Sequence, residues 1–445
     1  MTGRKKVLAS LLTTVLSVGL LAGCGSNQAN DSATNGNAGN GAKDEKVTLR
    51  MIESLTSPKR TALLQAMITK FKAENPNIDV DLVSPPFDQA DNKIRTMLGS
   101  NEQIDVIEVR DLNVAEFVNN GYIEPLDTYT GQWSDFATVS SISKSVGSVG
   151  GKLYFIPNGL YERQMFYRAD WFKEKGLTPP TTWQELYETG KKLTDPAKNR
   201  FGFSFRGGAG SNSTTDALVL AYNGDNVNLE DSMFTKSGAT IFSTPEAKTA
   251  MDLYMKIYKE ASPPDSINWG FQEQVQAFTS GVTGILLQDP DVIQSLQEKM
   301  EKDTWATAPL PMGPNGKSLL AAGGAGWGIG ANSEHKDAAW KLVSFLSSPA
   351  ENTAFSKDYG LIPIHTSASE DEFFQSGPYK TLLDMSNKPD IFVNFKPPFE
   401  YPGTGQWGQV VMESGQALLL GQAKLDDTLK KWNDFWVDQK EKVKK

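Results

Sequence analysis

Apolar and polar residues alternate through Val47-Thr48-Leu49-Arg50-Met51-Ile52, which predicts a strand with one buried face. Pro58 follows, and Leu63, Leu64, Met67, Ile68 and Phe71 then recur at helical spacing. That spacing predicts a helix over 59–74, ended by Asn75-Pro76-Asn77. Residues 78–83 read as a second strand, 91–98 as a helix, 104–109 as a third strand, and 114–119 as a helix stopped by Gly121. This alternation of strand and helix argues for an α/β sheet with mostly parallel strands.

The pattern continues with strands over 153–157 and 165–167 and a short helix over 171–175. Thr182-Trp183-Gln184-Glu185 opens a further helix with a capping-box pattern, a hydroxyl residue followed three positions later by glutamate. Longer helices are predicted over 245–259, 271–280, 338–346, 409–420 and 425–439. Long helices interspersed among the strands suit two lobes better than one sheet, and no internal repeat is evident.

Ahead of the first strand the character of the chain changes. Arg4, Lys5 and Lys6 precede an apolar run over 7–20, and Leu21-Ala22-Gly23 supplies small residues just before Cys24. This predicts a signal peptide over 1–23. The spacing to Cys24 resembles a lipobox, so a lipid-modified Cys24 is the expected mature N-terminus. The apolar run is short for a membrane span. The following stretch is rich in Asn, Gly, Ala and Ser with few large apolar residues, so 24–46 is expected to be a flexible tether.

Composition narrows the function. With the leader removed, roughly 420 residues remain, enough for two or three domains. A formal charge of −9 argues against nucleic acid as a partner. The single cysteine, Cys24, rules out a disulfide within the chain and a Cys-His nucleophile. With only His335 and His365, a zinc site of the usual ligands is close to excluded and a serine triad has just two possible bases. Gly313-Pro314-Asn315-Gly316-Lys317-Ser318 ends like a phosphate-binding loop, but Pro311 stands where that loop needs glycine. The run Gly323-Gly324-Ala325-Gly326-Trp327-Gly328 lacks dinucleotide-fingerprint spacing. No G-x-S-x-G elbow occurs, while carboxylates are too many for spacing to single out a glycosidase pair.

Several stretches, in order, resemble bacterial extracellular solute-binding proteins of the maltose-binding type. They include Gly121-Tyr122-Ile123-Glu124-Pro125-Leu126, Phe166-Tyr167-Arg168-Ala169-Asp170-Trp171-Phe172, Phe278-Thr279-Ser280-Gly281-Val282-Thr283-Gly284-Ile285 and Gly360-Leu361-Ile362-Pro363. The resemblance implies a type II periplasmic-binding-protein-like fold: two lobes, each a mostly parallel sheet flanked by helices, with the solute in the cleft between them. It implies that the chain crosses between lobes near Pro157, Pro311 and Ser348. The first lobe would then comprise 47–157 with 312–347, and the second 158–311 with 348–445. It further implies a non-enzymatic monomer without a cofactor, lipid-anchored on the extracytoplasmic face, that delivers a mono- or oligosaccharide to ABC permease subunits. A surface-tethered glycoside hydrolase and a sugar sensor that serves no permease are the alternatives.

Sugar sites need flat apolar faces and planar polar groups. Trp407 matches the family's stacking tryptophan, and Gly403, Gly405 and Gly408 around it are expected to leave its ring accessible. Trp327, which follows three glycines, and Trp269, in a loop, are further candidates; Tyr161 falls at a family ligand position. The remaining tryptophans are read as structural. Strand ends and the loops beside them contribute Glu53, Arg110, Asp111, Glu162, Arg206 and Asp289 as polar candidates. Two arginines near the cleft would suit an acidic sugar, unless Glu53 and Asp111 pair with them.

Overall fold

The structure, a computed structural model, describes residues 46–443. The leader, Cys24 and all of the tether except Lys46 lie outside the described residues.

Two sheets organise the chain. The first contains β1 (Val47–Ile52), β2 (Ile78–Val83), β3 (Val106–Arg110), β4 (Ile156–Tyr161) and β9 (Gly323–Ile329), in the order β2-β1-β3-β9-β4. The second contains β5 (Gln164–Tyr167), β6 (Phe201–Phe203), β7 (Thr283–Gln288) and β8 (Ala306–Ala308), in the order β8-β5-β7-β6. Both are mixed, which corrects the expectation of mostly parallel sheets. β2, β1 and β3 are parallel, whereas β9 runs antiparallel to β3 and β4, and in the second sheet only β6 and β7 are parallel. The reason is topological. β1, β2 and β3 are joined by crossover helices, which return the chain to run parallel. β4, reached from β3 through the helices between them, keeps that direction, and β9 alone is reversed because it enters the sheet from the second lobe.

Local chemistry sets the helices. Pro58–Glu74 begins with Ser57 accepting from the Arg60 N–H at 3.3 Å and with proline in the first turn, where its missing N–H costs nothing. Its buried residues Leu64, Met67, Ile68 and Phe71 pack on Leu49 and Met51 from one face of the first sheet. Ile52, Ile107 and Val109 project to the other face, where Ile94, Met97, Val114 and Phe117 cover them. The predicted capping box is present. The Glu185 N–H donates to Thr182 Oγ1 at 3.1 Å, the Thr182 N–H donates to Glu185 Oε2 at 3.3 Å, and the helix Trp183–Leu193 buries Trp183, Leu186 and Leu193 in the second lobe.

The lobes are joined at points later than expected. β4 belongs to the first sheet and β5 to the second, so the chain crosses at Glu162-Arg163. Pro157 is no boundary; β4 is the outer strand of its sheet, and an edge position tolerates the missing donor. Residues around Pro311 stay in the second lobe, where the Trp183 N–H donates to the Met312 carbonyl at 3.1 Å. Ser318–Leu320 pairs with Phe392–Asn394 there, so the return lies at Ala321-Ala322. Ser348 caps the helix Pro349–Tyr359 inside the first lobe, and Leu361 and Ile364 pack in the same core. The chain leaves afterwards, since Phe374 and Tyr379 belong to the second core.

A buried ionic cluster ties the first lobe together. Glu108, fully buried on β3, accepts hydrogen bonds from both guanidinium ends of Arg60, from Asn158 Nδ2 at 2.7 Å and from the Ser54 and Leu55 N–H groups at 2.7 and 3.0 Å. The rings of Trp327, Phe355 and Tyr359 surround the Arg60 guanidinium at 5.4 to 6.0 Å. Two candidates for ligand contact belong to this cluster instead of the cleft. Glu53 is fully buried, 3.5 Å from Arg60 and bonded to Thr61 Oγ1 at 2.6 Å. Trp327 is 1% exposed because its glycine neighbours let other backbone close over it, not because they open it to solvent. Removing one partner strands a buried charge, so Arg60→Ala is expected to cost about 3–5 kcal/mol. Arg50→Ala, which breaks the half-exposed pair with Glu102, is expected to cost less than about 1 kcal/mol. Urea unfolding of the two variants checks the contrast.

Candidate functional site

A cavity of about 700 Å³ opens between the lobes, within the size range of small-molecule sites. Its first-lobe wall is built from the start of the helix Pro58–Glu74, the end of β3 and the start of β9. Its second-lobe wall comes from the end of β7, the loop after β6, and the helices Asn212–Asn223, Phe271–Thr279 and Thr404–Leu419. Strand carboxyl ends thus meet the crevice from both sides, as expected for open α/β sheets. At the rim, Lys59 of the first lobe and Glu298 of the second pair at 3.1 Å.

Of the sequence candidates, Tyr161, Arg110, Asp111, Arg206, Asp289 and Trp407 line this cavity. Their engagement differs. Arg110 donates to Asp91 at 2.7 Å and is held against the first lobe. Asp111 accepts from the N–H groups of Leu112 and Gly324, both at 2.6 Å, and so pins the start of β9. Tyr161 places a buried hydroxyl that has no hydrogen-bond partner among the described residues.

Trp407 touches the cavity but is 3% exposed, which corrects the expectation of an open ring. Phe242, Phe435, Trp436 and Trp432 enclose it at centroid distances of 5.2 to 6.0 Å, and its indole N–H donates to Asp216 at 2.8 Å. The glycines beside it admit neighbours: Gly403 lies under the Gln439 side chain and Gly405 under Asn113 of the first lobe. Trp269 is half-buried outside the cavity, where its indole donates to Asp265 at 3.2 Å and closes a local turn. Glu162 does not line the cavity. Side chains of an extended segment alternate, so Tyr161 and Arg163 share the cleft face and Glu162 takes the opposite one, where burial pushes it up to about 7.

Sequence reasoning missed Arg163, Asp216, Asp291 and Phe271, all of which line the cavity. The same period of two would have found Arg163 beyond Tyr161. Asp216 carries a different signal, a lone acid in the otherwise uncharged helix Asn212–Asn223. Neither histidine lines the cavity; His365 is buried between Thr138 and the Ser347 carbonyl.

Three carboxyls of the cleft are held above their ordinary range. Burial raises Asp111 to about 6 and Asp216 to about 7, and burial together with repulsion from Asp289 raises Asp291 to about 8. Each binds its proton more tightly folded than unfolded. Their contribution to stability is therefore present at low pH and lost as pH rises through these values. The depressed Glu108 acts oppositely, its contribution fading as pH falls below about 4.5. The ligand-free protein is expected to melt at a higher temperature near pH 5.5 than near pH 8.5, with Asp291→Asn flattening the upper part of the profile; scanning calorimetry across pH measures both.

Comparison with known proteins agrees with this geometry. A family model described as bacterial extracellular solute-binding protein matches residues 56–353. A binding protein of Brucella abortus (strain 2308) is 25% identical over 391 residues, 86% of this chain and 90% of that protein. A mannitol-binding protein of Pseudomonas aeruginosa is 28% identical over 258 residues, 56% of this chain and 57% of that protein. Maltose-bound MalE3 of T. maritima shares the fold, with a TM-score of 0.76 at 21% identity over 87% of this chain and 98% of that one. With its two mixed sheets, the cleft between them and a family match over more than half its length, the chain belongs to the bacterial extracellular solute-binding protein family.

Proposed function

We propose that this chain is the lipid-anchored, extracytoplasmic solute-binding component of an ABC importer, and that its cleft takes a mono- or oligosaccharide or a related polyol. The observation that carries the reading is the cleft itself, which presents polar side chains and aromatic rings from both lobes. A ligand touching both walls favours the closed arrangement by its differential contacts, and the permease subunits read closure. Binding and closure are the whole task, with no bond broken in the solute. Relatives named for mannitol and for maltose support the carbohydrate class. The positive start, apolar run and small residues before Cys24 support the anchor.

Two measurements test this. The full chain in detergent is screened by thermal shift against neutral sugars, polyols, uronates, amino acids and short peptides. A carbohydrate is expected to raise the melting temperature, with stabilisation of about 2.7 kcal/mol at a hundredfold excess over its dissociation constant, and to be recovered unchanged. A shift by amino acids or peptides alone would remove the carbohydrate assignment, and turnover would favour the hydrolase. In cells, Cys24→Ser is expected to abolish lipid labelling and release folded protein into the medium; continued labelling of that variant contradicts the anchor.

A further inference from the structure

The arginines of this chain fall into two groups. Of the eight among the described residues, six donate hydrogen bonds to a carboxylate: Arg50 to Glu102, Arg60 to Glu108, Arg95 to Glu116, Arg110 to Asp91, Arg168 to Asp170 and Arg200 to Glu174. The two that do not, Arg163 and Arg206, both line the cleft. Arg206 uses its Nε–H on the Ala209 carbonyl at 2.6 Å, and its guanidinium carbon lies 6.0 Å from the centre of the Phe271 ring. Its terminal nitrogens make no hydrogen bond among the described residues. Arg163 makes no side-chain hydrogen bond there either; Asp289 lies 3.7 Å away, beyond hydrogen-bond reach.

The two guanidiniums come from different elements, the crossing between β4 and β5 and the loop after β6, yet both line the same cavity. Burial, and then the charge of Arg163, pulls Arg206 down to about 10. Paired positive groups with unspent donors in a partly desolvated cleft are costly, and an anion relieves both the repulsion and the missing acceptors. The cleft's own acids do not suffice. Asp289 comes no closer to Arg163 than 3.7 Å, and Asp291 Oδ1 is buried with no hydrogen-bond partner among the described residues.

We propose that the solute carries an anionic group, a carboxylate or a phosphate, clasped jointly by Arg163 and Arg206, so that the ligand is an acidic carbohydrate. This rests on the carbohydrate reading above. A planar, forked donor set matches either oxyanion. The rest of the cleft suits a hydroxyl-bearing frame. Tyr161 Oη, Asp216 Oδ1 and Asp291 Oδ1 are buried without partners among the described residues, and Phe271 offers an apolar surface.

The test is calorimetric titration of the full chain in detergent with matched pairs: galactose and galacturonate, their dimers, and glucose with glucose 6-phosphate. At least one acidic member is expected to bind tenfold or more tightly than its neutral counterpart, and the pair that responds separates carboxylate from phosphate. Arg206→Gln and Arg163→Gln are each expected to weaken the acidic member at least tenfold more than the neutral one. Arg206→Lys, which keeps the charge but loses the fork, is expected to fall between, and melting curves of the free variants report their folding. Neutral sugars binding as tightly as their acids, or losing affinity equally in the variants, overturns the proposal while leaving the carbohydrate reading intact. Binding of an amino acid or peptide carboxylate that depends on Arg206 does the reverse: it sinks the carbohydrate reading and keeps the paired arginines as an anion site.

Discussion

The first lobe depends on one buried charge pair. Arg60 and Glu108 are both fully buried, and burial of that kind is tolerable only when the charges are paired and hydrogen-bonded. Both terminal nitrogens of Arg60 are, while its Nε has no hydrogen-bond partner among the described residues. Here the partners come from distant parts of the chain. Glu108 draws in the end of β1 through Ser54 and Leu55 and the crossing strand β4 through Asn158. The Asn158 carbonyl in turn accepts from Asn352, whose own side chain accepts the Ile364 N–H. A single ion pair therefore fixes the start of the long first helix, the strand that leaves for the other lobe, and the helix that precedes the final crossing to the second lobe. Both ends of the first-lobe wall of the cleft inherit their position from it.

The cleft is assembled by alternation as much as by topology. β4 feeds β5 with two residues between, so the extended geometry carries straight through the crossing. Tyr161 and Arg163 face the cavity while Glu162 faces away. The strand ends Arg110-Asp111 and Asp289-Asp291 bring charge to the same space from opposite sheets. Most of that charge is already committed: Arg110 to Asp91, Asp111 to two backbone N–H groups, Asp216 to the Trp407 indole.

Much of this was legible in the residues. The strand–helix alternation at the start, the capping box at Thr182 and the strand-end candidates Arg110, Asp111, Arg206 and Asp289 follow from period, local hydrogen bonding and the crevice rule. The failures share a cause, since each turned on a neighbour remote in sequence. Glu53 looks like a free strand end until Arg60 turns inward from what reads as a polar helix start. Trp407 looks accessible until two later helical turns bring Trp432, Phe435 and Trp436 against it. Pro157 reads as a break because a sequence does not announce which strand will be outermost. The direction of β9 was hidden for the same reason, being set by the lobe from which it arrives.

The two-residue crossings have a mechanical consequence. A long linker would leave the lobes as two bodies that a solute must bring together against their translational freedom. Residues Glu162-Arg163 and Ala321-Ala322 instead offer only a few soft backbone torsions. Two such short straps side by side, with a longer third crossing between Ile364 and Phe374, resist sliding and separation more than swinging, like the pins of a door. Most of the entropy of aligning the walls is thus spent when the chain folds, and the solute has only a rotation left to arrest.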